Sequence, residues 1–368
     1  MADTLSWAQW NVYSGVNYRL RTFAGGRFAT RCRPVSIMLL VTENCTAKCL
    51  HCDIWKNKFR EDTTVEEWKT LLSDLRNWLG PVQVVISGGE ALMKGFTVDL
   101  VAHASKIGLF LEILTHGYWK DQTKIERLGK ANPWKVTMSL DGLGETHTLV
   151  RGRPNFWEFS QQSLQTLLRV RKEEKLDYTI RLKNVIMSYN VDDTVKLARF
   201  AEQDGVEIFY QAIEQNYNTP EDTQWYLHSE NWPKDTGKVI ENVRELIAMK
   251  KSGKSHIANS VDQLEAMIPY FQDPDASRVA VQTHSAHEKQ RSCNALTTLQ
   301  LQSNGDVTVC TGVPAVGNFR EKPIREIWEA RPHFWEEGCC LEKRCSPAEL
   351  QQIKPASSLT VSETWTQQ

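Results

Sequence analysis

No apolar run in this 368-residue chain approaches the roughly 18 residues that a bilayer-spanning helix needs, so the sequence offers no transmembrane anchor. A surplus of either charge is also missing. Lys and Arg number 44 against 45 Asp and Glu, a net charge of −1 that points to no nucleic acid or other polyanionic partner. The first 34 residues hold no signal-peptide core, because Arg19, Arg21, Arg27, Arg31 and Arg33 are interleaved there with Trp7, Trp10, Tyr13 and Tyr18. No internal repeat is visible. These absences predict a cytoplasmic protein without a membrane partner. Its 41% hydrophobic and 24% charged residues suit an ordinary globular chain, long enough for one large α/β core and a smaller module.

Cysteine, by contrast, is present in clusters. In a reducing compartment the nine cysteines argue for metal binding or catalysis rather than disulfides. Cys45, Cys49 and Cys52 stand at C-x3-C-x2-C spacing within "TENCTAKCLHCDIW", and Cys293, Cys310, Cys339, Cys340 and Cys345 come late. Cys32 stands alone and is expected to be a small core residue. The sequon Asn44-Cys45-Thr46 has no secretory context and is read as coincidence.

From about residue 35 to 212 short β-branched runs alternate with amphipathic helical patterns. Strands are expected at 35–41, 82–87, 109–114, 135–140, 178–187 and 206–212, with helices at 97–107, 121–130, 157–174 and 191–204 between them. In "TTVEEWKTLLSDLRNWLG" Thr64 can cap a helix with Glu67 three residues on, and Gly80 stops it. Strict alternation implies parallel strands with right-handed crossovers. Six units fall short of an eight-fold barrel and fit a partial barrel or an open doubly wound sheet. Residues 214–235 are polar and rich in turn formers, a long loop, followed by helices at 236–251 and 260–271. "TTLQLQSNGDVTVC" reads as a hairpin turning at Asn304-Gly305, and 323–329 as a short helix. The polar stretch after 347 has no period.

Three close thiolates could be zinc ligands, with His51 as a cramped fourth, or could hold an iron–sulfur cube through three irons and leave the fourth open. Either site would lie after the first strand, at the carboxyl edge of a parallel sheet, where such folds bind ligands.

C-x3-C-x2-C directly after a first strand resembles the signature of the radical S-adenosylmethionine (radical SAM) enzymes, and the likeness extends over about residues 35–212. It implies a partial (β/α)6 TIM-like barrel whose [4Fe–4S] cluster, held by Cys45, Cys49 and Cys52, binds S-adenosylmethionine at its open iron. It further implies reductive cleavage of that cofactor to a 5′-deoxyadenosyl radical, with electrons from a flavodoxin or ferredoxin. "SGGEAL" stands where the family has Gly-Gly-Glu: Gly88 and Gly89 would admit the cofactor closely and Glu90 would balance its ammonium. "TMSLDG" resembles the strand end near the ribose, with Ser139 and Asp141, and Arg151 matches an arginine expected on the cofactor carboxylate. His51 precedes the third cysteine, a position whose backbone lies near adenine. "THG" at 115–117 departs from the usual Thr-Asn-Gly at His116.

Cys293 and Cys310, bracketing Gly305, resemble the opening of the SPASM and twitch modules, small C-terminal hairpin-and-helix units that carry auxiliary iron–sulfur clusters. The resemblance implies one auxiliary [4Fe–4S] cluster on Cys293, Cys310, Cys345 and one of the adjacent pair, preferentially Cys339. Side chains of adjacent residues diverge, so Cys339 and Cys340 would not share a cluster comfortably. A zinc knuckle is the alternative.

The implied organisation is an N-terminal extension (1–34), a radical SAM core (35–213), a linker with helices (214–290), an auxiliary-cluster module (291–346) and a tail (347–368). The expected activity is hydrogen abstraction from a ribosomally made peptide or from a small molecule such as a sugar or aminocyclitol. A non-catalytic metal protein would not need the Gly-Gly-Glu, Ser139 and Arg151 constellation.

Overall fold

A computed structural model describes residues 4–23, 31–57, 62–216, 219, 222, 224–274, 296–310 and 314–331. Its centre is a nine-stranded sheet ordered β6-β5-β4-β3-β2-β1-β7-β8-β9. The first six strands are β1 Ser36–Thr42, β2 Gln83–Gly88, β3 Phe110–Thr115, β4 Lys135–Ser139, β5 Thr179–Ile186 and β6 Glu207–Ala212. Each pairs in parallel with the next, as the strand–helix alternation requires. This is the α/β partial barrel expected.

The crossover helices follow the sequence signals closely. Helix α2 (Val65–Leu79) begins at a complete capping box between Thr64 and Glu67 and ends at Gly80, whose φ of 84° only glycine adopts freely. Its face of Trp68, Leu71, Leu72, Leu75 and Leu79 is buried against the sheet. Each such side chain contributes about 1.5–3 kcal/mol by leaving water. The remaining crossovers are α3 Thr97–Lys106, α4 Thr123–Lys130, α5 Glu145–Arg151, α6 Phe156–Glu173 and α7 Thr194–Asp204. Beyond β6 come α8 Thr236–Lys251, α9 Val261–Glu265 and α10 Met267–Gln272.

Three features differ from the sequence reading. The N-terminal extension contains a 20-residue helix, α1 (Thr4–Phe23). It packs under the barrel, with the Trp7 ring 5.3 Å from Phe110 and 5.8 Å from Trp134. Leu5, Val12 and Val16 face outward, so its apolar residues form no single stripe and the helical period is blurred. The helix expected over 260–271 is two: a Ser260–Gln263 capping box starts α9, and Pro269 lacks the N–H that a continuous helix would donate, so it sits in the first turn of α10. Finally, the hairpin of β7 (Thr298–Gln302) and β8 (Asp306–Thr308) belongs to the main sheet, because β7 pairs in parallel with β1. Strand β9 (Gly317–Asn318) and α11 (Ile324–Ala330) follow, and the Trp328 indole donates to the Cys32 carbonyl at 2.9 Å. Cys32 is the buried core residue expected. Among the described residues no helix is long and apolar enough to cross a membrane.

Candidate functional site

Parallel strands deliver their carboxyl ends to one edge, and the site is built there from four loops. The first is the cysteine loop after β1. Cys45, Cys49 and Cys52 are all half-buried, and the Cys52 amide donates to the Cys49 carbonyl at 3.3 Å. Burial pushes the Cys45 thiol up to about 12, with Glu90 and Cys49 adding to the rise, and burial raises Cys49 and Cys52 as well. Three crowded thiols that resist ionisation call for a cationic inorganic group to hold them as thiolates. Among the described residues no three His, Cys, Asp or Glu side chains converge on one ion. A cube sets each thiolate on its own iron and needs no such convergence.

The second loop follows β2. The Gly89 amide donates to the Thr42 carbonyl at 2.8 Å and the Glu90 amide to the Asn44 carbonyl at 2.9 Å, stitching this turn to the cysteine loop. A Cβ at Gly89 would be driven into the carbonyl oxygens of Glu43 and Asn44, so the close approach requires glycine. Glu90 is fully buried and accepts from the Leu92 amide at 3.1 Å, the Thr115 hydroxyl at 2.9 Å and the His116 amide at 2.7 Å. Burial outweighs these bonds and pushes its carboxyl up to about 7. A carboxylate so short of solvation is suited to a cationic ligand.

His116, from the third loop, takes the Tyr118 amide at Nδ1 (3.0 Å), so its proton sits on Nε2, 2.9 Å from the Thr46 hydroxyl. Burial, then Arg151, hold it neutral with a pKa of about 3. The imidazole thus ties the cysteine loop to Glu90's strand end, a structural use that the departure from asparagine did not foretell.

The fourth loop brings Asp141 and α5. Arg151 ends α5 and pairs through Nη2 with Asp141 Oδ2 at 2.6 Å, while Nη1 donates to Cys49 Sγ at 3.4 Å. Burial pulls the Asp141 carboxyl upward, yet Arg151, His51 and the Val185 amide leave it below the usual carboxylate range. Asp141 is fully buried, which makes it the counter-charge that orients Arg151 rather than an exposed ribose contact. The end of α5 also carries the cysteine loop: the Lys48 and Leu50 amides donate to the Arg151 and Val150 carbonyls at 3.1 and 3.0 Å. Arg153 Nε reaches the Thr46 carbonyl at 2.7 Å. Two buried polar atoms here, Arg151 Nε and His51 Nδ1, have no hydrogen-bond partner among the described residues. Orphaned donors beside crowded thiols and a glycine cradle fit a polar ligand bound against an iron–sulfur centre.

Ser139 lies on the barrel-facing side of β4, in register with Lys183 of β5. The sequence reading passed over Lys183, His147, Asn190 and Asn231. His147 Nδ1 accepts the Asp141 amide at 3.1 Å, and Asn190 Nδ2 donates to the Asp141 carbonyl at 2.8 Å. Asn231 Nδ2 donates at 3.0 Å to the carbonyl of Leu50, between two of the cysteines. Alternating charge in "TIRLKNVI" was the available signal for Lys183; the asparagines carry none. Of the late cysteines only Cys310 is described, half-buried where β8 has brought the chain back toward the start of β7. Cys293, Cys339, Cys340 and Cys345 lie outside the described residues. A wider depression lined by Arg171, Arg181, Glu207, Lys250 and His256 lies at the opposite edge of the sheet. Its cations are engaged, Arg181 by Glu207 and Lys250 by the Ile257 carbonyl.

Comparison with known proteins places these loops in context. Residues 39–201 match the family model described as the radical SAM superfamily. The chain is 23% identical over 302 residues to the AdoMet-dependent heme synthase of Methanosarcina barkeri, covering 78% of this chain and 80% of that protein. It is 31% identical over 114 residues to the PqqA peptide cyclase of Bradyrhizobium diazoefficiens, a match spanning only 30% of each protein. Among solved structures, Streptococcus suis SuiB bound to S-adenosylmethionine shares the fold at a TM-score of 0.62 and 15% identity, over 84% of this chain and 68% of that one. SuiB bound to its precursor peptide SuiA aligns at a TM-score of 0.59 and 15% identity, over 82% of this chain and 65% of that one.

Proposed function

We propose that this chain, whose residues 39–201 match the radical SAM superfamily, uses a [4Fe–4S] cluster and S-adenosylmethionine to abstract hydrogen from a ribosomally made peptide in the course of its maturation. The observation that carries this reading is that direct hydrogen bonds tie the loop of Cys45, Cys49 and Cys52 to the Gly89–Glu90 turn and to Arg151 at one edge of the barrel. In it, the three cysteines hold the cluster, and Glu90, with Gly88 and Gly89 beside it, receives the cofactor's ammonium. Arg151, steadied by Asp141, receives its carboxylate; Ser139 and the backbone at His51 face the ribose and adenine. Bound there, the cluster and cofactor supply one-electron reduction and hydrogen-atom abstraction.

The chain's own contribution is placement and dryness. Asp141 fixes the Arg151 fork before any ligand arrives, so little order is lost on binding. His116 and Glu90 seal the floor between the cysteine loop and β3. Asn216 and Asn231 close one side, both donating to the Leu50 carbonyl, and Trp225, Tyr226 and Trp232 form an aromatic cluster. A polar, aromatic wall suits an extended peptide. Lys48 and Lys56 flank the Trp55 ring at 5.4 and 5.3 Å beside the cysteines, which suits an acidic flavodoxin or ferredoxin as donor. We assign an auxiliary [4Fe–4S] cluster to Cys293, Cys310, Cys339 and Cys345 on their spacing, with Cys310 on the hairpin.

A small-molecule substrate is the second reading. It is favoured by the length of the heme synthase match, which runs over 78% of this chain rather than over the core alone. The test is anaerobic reconstitution, reduction and addition of S-adenosylmethionine. Formation of 5′-deoxyadenosine is expected, accelerated by a short peptide encoded beside the gene. A preparation that binds zinc, lacks iron–sulfur absorption and leaves the cofactor intact would refute the reading.

A further inference from the structure

Among the described residues two lysines of β4 and β5, Lys135 and Lys183, enter no ion pair; Lys135 lies over the Trp134 ring at 4.1 Å, which leaves Lys183. On β5, Ile180, Leu182 and Ile186 are buried against the helices, whereas Arg181, Lys183 and Val185 face the other way, into the barrel. Register sets Ser139 on one side of Lys183 and Phe209 on the other.

The layers above and below Lys183 are satisfied within themselves. Toward the amino ends of the strands, Gln83 donates to Glu112 at 3.0 Å, Thr137 donates to the same carboxylate, and Arg181 pairs with Glu207 at 2.7 Å. Toward the carboxyl ends, Asp141 is taken by Arg151 at 2.6 Å and by the Val185 amide at 2.9 Å. Lys183 lies between them, half-buried, and among the described residues its ammonium makes no hydrogen bond or ion pair. It senses Asp141, Glu214 and Glu112 at longer range, and Glu214 is exposed at the end of β6. Burial lowers its pKa, the mark of a charge lacking solvation.

We propose that Lys183 is a substrate-binding residue that receives a carboxylate, holding the neighbouring C–H bonds beside the residues assigned to the cofactor. This rests on the functional reading above. The charge balance favours a singly charged oxyanion: one point cation, with no second cation in register beside it, matches a carboxylate. A phosphate dianion would meet Asp141 and Glu214 without an arginine fork or helix terminus to offset them. An acidic peptide side chain and a propionate of a tetrapyrrole present the same group, so the experiment must separate them.

The test is calorimetric binding to the reconstituted full-length protein, which requires no turnover. Two probe pairs are used: a glutamate-containing pentapeptide with its glutamine counterpart, and coproporphyrin III with its tetramethyl ester. Wild type should prefer the acid member of one pair, and which pair responds distinguishes peptide from tetrapyrrole. K183M should weaken that acid by about tenfold or more and leave the neutral member unchanged, while K183R keeps most of the affinity. Equal affinity of K183M and wild type for the acid, equal binding of acid and neutral member by wild type, or no acid bound up to about 10 mM would each overturn the proposal. Uncoupled 5′-deoxyadenosine formation by wild type is read in parallel. Its absence would strike the radical reading, while the calorimetry still decides the role of Lys183.

Discussion

At the scale of single residues, Glu90 and Arg151 carry opposite strains, and both can be read in solution. Glu90 titrates near 7 when folded and at an ordinary carboxylate value when unfolded. Between about 4.5 and 7 the folded state therefore holds the extra proton on this group, and Glu90's own contribution to stability falls as pH rises through that window. Glu90→Gln removes this slope. Urea unfolding of the cofactor-free protein should show wild type losing about 3 kcal/mol more than the variant between pH 4.5 and 7. Parallel pH profiles would contradict the burial argument. Arg151→Ala strands the buried Asp141 carboxylate and should cost about 3–5 kcal/mol in denaturant unfolding. Adding Asp141→Asn should recover part of that stability, because the orphan charge is gone, without restoring S-adenosylmethionine affinity. Recovery of both would make the arginine purely structural. The sequence named Arg151 and Asp141 but could not show that one holds the other: their bond depends on how α5 folds back over β4.

At the scale of elements, the cysteine loop is a platform clamped from three sides: by the turn after β2, by the end of α5, and by Asn216 and Asn231. Gly89→Ala drives a methyl group into the loop's own carbonyls, so Cys45 must move with them. Iron retained after reconstitution should drop well below wild type, at a stability cost of about 1–3 kcal/mol. Full iron loading would show that the loop has slack. The crossover helices and six strands were legible because hydrophobic period, capping box and stop glycine agree, as in Thr64 to Gly80. Helix α1 was not, since it meets the barrel through the buried Trp10 and through a partly exposed Trp7 whose ring reaches Phe110 and Trp134, tertiary contacts without local pattern. The placement of β7 beside β1 was hidden for the same reason. A hairpin signal fixes its own turn and says nothing about which edge it joins.

At the scale of the whole molecule, the core houses two neutral, fully enclosed histidines. Burial holds both His116 and His147 near a pKa of 3, so unfolding at mildly acid pH lets each gain a proton. The unfolded state then binds more protons, and stability rises with pH from about 3 to 6.5 and is lost as pH falls through that range. The cofactor-free protein should lose stability with a slope of at least two protons below about pH 4.5, where Glu90 no longer opposes the pair and His51, lowered by burial to about 4, adds to it. A flat acid limb down to pH 3 would contradict the burial of the pair. The same enclosure defines what the barrel is for: polar groups gathered at one sheet edge around three thiols. The most direct measurement is electron paramagnetic resonance of the reduced, reconstituted protein with and without S-adenosylmethionine, for wild type and the C45A/C49A/C52A variant. An open iron predicts a cofactor-dependent change of the wild-type cluster signal, absent from the variant even where a second cluster survives. A wild-type signal indifferent to the cofactor, or a variant that still responds, would contradict it.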